Sequence, residues 1–90
     1  MIRQKGVTSN AIKAIKKRCT EEFTRLNLTN TEAFVMPKNS LGKITPSGRT
    51  IRKIFNGEHI RPFTISKIMQ ELEIEKCITN GKIDVREDEC

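Results

Sequence analysis

The chain has no Trp, no Tyr and only four Phe in 90 residues. Base-stacking platforms of the kind that hold single-stranded nucleic acid are therefore in short supply. A sheet-type RNA reader, which stacks bases on exposed rings, is disfavoured for the same reason. His59 is the single histidine, in a loop between two helical patterns. The cysteines, Cys19, Cys77 and Cys90, form no Cys-x-x-Cys pair. A zinc site needs two compact pairs of ligands, so no metal or other cofactor is expected. There is no Gly-rich phosphate loop and no Gly-x-Ser-x-Gly elbow, and Glu71, Glu73 and Glu75 read as a solvated edge. With no nucleophile, base or metal set to name, the chain is not expected to be an enzyme. Apolar runs extend only a few residues, far short of the roughly 20 that span a bilayer, and no leader segment is evident. The wide, irregular cysteine spacing suits a reducing compartment.

What is present is basic charge, unevenly placed. Seventeen Lys and Arg against eleven Asp and Glu leave a formal net charge of +6. Residues 1–18 carry +6, residues 19–37 carry −2, residues 38–67 carry +6 and residues 68–90 carry −4. If the two basic blocks meet on one face, they form a surface for a polyanion. Solvated helix faces rich in Lys and Arg are the plainer alternative. The length suits one small domain, and apolar residues at 36% allow a lean core.

Periodicity locates most elements. Ile12, Ile15, Cys19, Phe23 and Leu26 recur at helical spacing, which predicts a helix over residues 9–26. Thr8 is its candidate N-cap, with Val7 and Ile12 as a hydrophobic staple, and Cys19 reads as a small core residue. Residues 27–36 are consistent with a short helix capped by Asn30 or with an extended Ala33-Phe34-Val35-Met36. Pro37 suits the first position of a helix over residues 37–44. Ser47 then caps a helix from Gly48 to Asn56, stopped by Gly57 in a left-handed conformation. Another helix opens at Arg61-Pro62, with Ile65, Ile68, Met69 and Leu72 on its apolar face. Asn80-Gly81 marks a β-hairpin pairing Ile78 with Ile83, with Val85 on the same face. A helix stop at Gly81 followed by a loose tail is the other reading of that segment.

Leu41 and Ile44, a turn at Pro46, and then Ile51 and Ile54 would frame two docked helices. Successive helix residues turn by about 100°. Arg49, Arg52 and Lys53 therefore face away from Ile51, Ile54 and Phe55, with Thr50 at the border. A helix with one oily and one cationic side suits the major groove, where Arg can bond a guanine bidentately.

At these residues the chain resembles the lambda-repressor-like (Cro/repressor-type) helix-turn-helix DNA-binding family. The resemblance rests on Ser47-Gly48-Arg49-Thr50-Ile51-Arg52-Lys53-Ile54-Phe55-Asn56-Gly57, Arg61-Pro62 and the Ile65, Ile68, Leu72 frame. It implies a mainly α fold, a four- to five-helix bundle, here with a C-terminal β-hairpin. Residues 1–74 would form the DNA-binding domain, and residues 75–90 a hairpin and charged tail that join two copies. It also implies a sequence-specific transcription regulator of repressor type, cytoplasmic and nucleoid-associated in a bacterium or phage, acting on double-stranded DNA as a homodimer away from membranes. Base contacts would fall to Gly48, Arg49, Arg52 and Lys53. Phosphate contacts would fall to Ser47, Thr50, Lys43 and Arg61, with the Lys13, Lys16, Lys17 face and Lys38 as further candidates. A non-enzymatic protein-interaction module of antitoxin-like type, using the acidic tail after Gln70, is the rival expectation.

Overall fold

A computed structural model describes residues 6–86 of the chain. Among these the order is α1 (Ser9–Arg25), α2 (Asn30–Ala33), α3 (Gly48–Phe55), α4 (Pro62–Glu71), β1 (Lys76–Thr79) and β2 (Lys82–Val85). The fold is mainly α, with an antiparallel hairpin at its C-terminal end. No helix among the described residues is long and apolar enough to cross a membrane.

Three helices form where their side-chain periods place them. The Thr8 hydroxyl accepts from the Ala11 amide and caps α1. Ala11, Ile15, Cys19 and Phe23 are buried along it, while Ile12 and Leu26 lie at the margin of that face. Burial pushes the Cys19 thiol up to about 12, with the nearby Glu22 charge adding to the rise. Such a thiol stays protonated and inert, a core residue as expected. In α3, Ile51 and Ile54 are buried, and in α4 so are Ile65, Ile68 and Met69.

Of the two conformations open to residues 27–36, the helical one forms, capped one residue earlier than expected. Thr29, not Asn30, is the N-cap of α2, in a reciprocal capping box with Glu32. Those hydrogen bonds hold the Glu32 carboxyl below its ordinary value.

The helix expected over residues 37–44 does not form. Asn39 and Gly42 both take left-handed φ, at 67° and 58°. Two such residues cannot sit inside one right-handed helical turn. The chain instead makes a tight loop in which the Asn39 amide donates to the Thr45 carbonyl (2.9 Å) and the Ile44 amide to Leu41 (2.9 Å). Leu41 and Ile44 are fully buried all the same. The Glu71 carboxylate accepts from the Thr45 amide at 2.7 Å and pins this loop to the end of α4.

The hairpin pairs Ile78 with Ile83 through an Asn80-Gly81 turn of positive φ, in the expected register. Its docking is not foreshadowed by any local pattern. Thr8 donates its amide to the Ile83 carbonyl (2.9 Å), and Ile83 donates to Gly6 (2.8 Å), so Val7 runs parallel beside β2. Ile83 and Val85 pack against the core cluster. The hairpin is thus part of the helical core, and of its apolar side chains only Ile78, 69% exposed, stays uncovered.

Thr8 also donates its hydroxyl to Asp84 at 2.6 Å, and the Val85 amide donates to the same carboxylate at 2.8 Å. The Thr8 hydrogen bond is the main reason that the Asp84 carboxyl lies below its ordinary value. A lowered folded-state value contributes stability above the unfolded value, lost as pH falls through the folded one. In urea titrations across pH, the stability advantage of the native chain over Asp84→Asn is expected to be constant above about pH 5. It should shrink below about pH 4, near the unfolded carboxylate value. A difference that is flat down to pH 2 would remove this role.

Candidate nucleic-acid interface

The eight expected contact residues do not form one patch. The solvent side of α3 carries the cationic set as the helix geometry predicts: Arg49 and Arg52 are exposed, Lys53 and Thr50 half-buried. Three ion pairs occur among the described residues, Arg18–Glu21, Arg25–Glu22 and Lys43–Glu73. Arg49, Arg52, Lys53 and Arg61 take part in none of them. The long donors of α3 are therefore uncommitted, and α3 contains no acid to neutralise them.

Gly48 is a correction. It is buried, and a Cβ placed on it would lie 1.9 Å from the Ala33 carbonyl oxygen and 2.7 Å from the Phe34 carbonyl carbon. Its amide donates to the Met36 carbonyl at 2.8 Å. Gly48 cannot touch a base; it lets the start of α3 press backbone-to-backbone on the end of α2. This close approach, not a second long helix, orients α3.

Lys43 stands apart from the α3 set, with its side chain 57% exposed. Its ammonium pairs with Glu73 at 3.6 Å. It lines a groove with Arg18, Glu21, Glu22, Arg25 and Leu72, where charges of both signs mix. That groove shares no residue with a second, open one that Arg49 and Arg52 line. Lys17 also lines a mixed-charge groove, with Glu21, Glu73 and Glu75. Arg61 is exposed at the N-cap of α4 and lines neither the groove beside Arg49 nor the one beside Lys43. Ser47 occupies the N-cap position of α3, but its side chain makes no capping hydrogen bond.

Arg49 and Arg52 instead share an open groove with Thr31, Phe34, Val35 and Met36. No sequence signal placed the α2 end of this groove beside α3. Phe34, in its lining, belongs to an aromatic cluster. Phe34 and Phe55 lie 5.3 Å apart, and both meet Phe23 of α1, at 6.4 and 6.2 Å between ring centroids. The cluster fixes the end of α2 to the end of α3, as the close approach at Gly48 does at the other end of α3.

Among the described residues no group of His, Cys, Asp or Glu could hold a metal ion. No protein-family model, no curated protein and no solved structure matches the chain.

Proposed function

We propose that the chain is a sequence-specific, non-enzymatic DNA-binding regulator whose α3 enters the major groove of double-stranded DNA. One observation carries this reading. Among the described residues, Arg49, Arg52 and Lys53 stand together on the side of α3 opposite the buried Ile51 and Ile54, with no acid on that helix and no ion pair to any of the three. An unpaired guanidinium on an exposed helix is free to bond guanine O6 and N7. Thr50 and Ser47, at the border of that side, suit phosphate oxygens. In this reading α3 plays the part of a Cro/repressor-type recognition helix, supported by the α2 end and the loop rather than by a regular preceding helix. A homodimer belongs to the proposal as the common state of the family the chain resembles, with Ile78 the hairpin's one uncovered apolar side chain.

Selection of bound duplexes from random DNA tests it. The expected result is an enriched palindrome with half-sites about one helical turn apart. A lone, unrepeated half-site would remove the homodimer. On the selected duplex, Arg49→Ala with Lys53→Ala is expected to cost about 1–3 kcal/mol for the base-reading Arg and to relax specificity at one base. The slope of affinity against salt should fall by about one for each phosphate-binding cation removed. Unchanged affinity and an unchanged slope would sink the assignment in favour of a protein-interaction module.

A further inference from the structure

Val35 is 80% exposed beside Arg49 and Arg52, in the same open groove. Its exposure is built in rather than loose. The Val35 amide donates to the Glu32 carbonyl (3.3 Å), the Met36 amide donates to Ala33 (3.1 Å), and the Met36 carbonyl accepts from Gly48 (2.8 Å). The backbone on both sides is thus tied to α2 and α3, while Phe34 beside it is held in the aromatic cluster. A β-branched side chain on such a backbone has little rotamer freedom. The result is a rigid apolar knob in the groove lined by two unpaired guanidinium groups.

Charge complementarity limits what can cover it. A surface that brings an apolar group to Val35 must also accept Arg49 and Arg52, and the major groove does both. Guanine offers O6 and N7 to an Arg, and thymine alone carries a methyl group on that edge. We infer that Val35 reads the C5-methyl of a thymine next to the guanine engaged by Arg49 or Arg52. This inference rests on the DNA-binding reading and adds a specificity residue from outside α3.

The test uses the full chain and the selected duplex, with each thymine replaced in turn by deoxyuridine, which removes the methyl group alone. One position is expected to cost the native chain about three- to fivefold in affinity, the worth of roughly one buried methyl group. Val35→Ala should bind the thymine duplex more weakly by a similar factor and lose the sensitivity to uracil at that position. Val35→Thr, nearly the same in shape, should keep part of it. Thermal unfolding of both variants should match the native chain, because the side chain is exposed. Native binding with no sensitive thymine, or sensitivity that persists in Val35→Ala, would overturn the inference and leave the Arg49 assignment standing. Weaker binding of Val35→Ala by an equal factor at every thymine and uracil duplex would overturn it too, because a contact that ignores the methyl group reads no thymine. Failure of the native chain to bind any duplex would remove the parent reading as well.

Discussion

Gly48→Ala is expected to destabilise the chain by about 3 kcal/mol, the upper end of what overpacking costs in a close-packed core. The sign is opposite to helix propensity, which favours Ala over Gly by about 1 kcal/mol inside a helix. The packing decides it. The added methyl would lie 1.9 Å from the Ala33 carbonyl oxygen and 2.9 Å from the Ala33 carbonyl carbon. These are backbone atoms, and α2 cannot retreat without breaking the Gly48–Met36 hydrogen bond and separating Phe34 from Phe55. Gly57→Ala is the control. Gly57 has φ +77° and nothing within 4 Å of an added Cβ, so it should incur only the left-handed penalty, about 1–2 kcal/mol. Guanidinium titrations of both variants check the order. A Gly48→Ala chain as stable as the native one would mean that the α2–α3 approach is not this close.

The same residue marks the limit of what the sequence allows one to read. Ser47-Gly48 looks like a helix start, and it is one. Nothing local says that the α-hydrogen of Gly48 faces another backbone, because Ala33 and Phe34 lie about fifteen positions upstream. The periodic elements α1, α3, α4 and the hairpin register are legible because their signals lie within one or two turns of chain. The loop over residues 37–47 is not. Leu41 and Ile44, three apart, would be buried together in a helix, and they are buried together in a tight loop too. Asn39 and Gly42 carry the distinguishing signal, as residues that tolerate left-handed φ. The Val7–Ile83 pairing joins opposite ends of the chain, so no local pattern announces it.

The candidate interface divides in the same way. A residue's side of its own helix follows from helix geometry, and Arg49, Arg52 and Lys53 are where that geometry puts them. A residue's partner on another element does not follow. Lys43 reads as a free cation in the sequence, where Glu73 lies thirty positions away; in the fold the two are paired. Val35 stands in the middle of an apolar run, yet at the end of α2 its neighbours Phe34 and Met36 take the inward positions and leave it outside.

Phe23→Ala is expected to cost about 3–5 kcal/mol, as large-to-small changes at a fully buried ring do. Phe23 is 1% exposed and meets two other rings, Phe34 edge-on at 83° and Phe55 nearly parallel at 29°. Such pairs contribute about 0.5–1.5 kcal/mol each beyond the apolar area they bury. Domains of this size hold about 5–15 kcal/mol in total, so the loss is a large share of the reserve. Phe23→Leu, which keeps much of the volume but no ring, should cost less and stay folded. Denaturant midpoints of the two variants, at an unchanged m-value, measure the difference. Phe23→Ala costing under about 1 kcal/mol, a typical minor substitution, would mean that Phe23 is not the hub. The larger cost would follow from position: Phe23 is the one ring on α1, and without it the ends of α2 and α3 keep each other but lose their shared anchor to the longest helix.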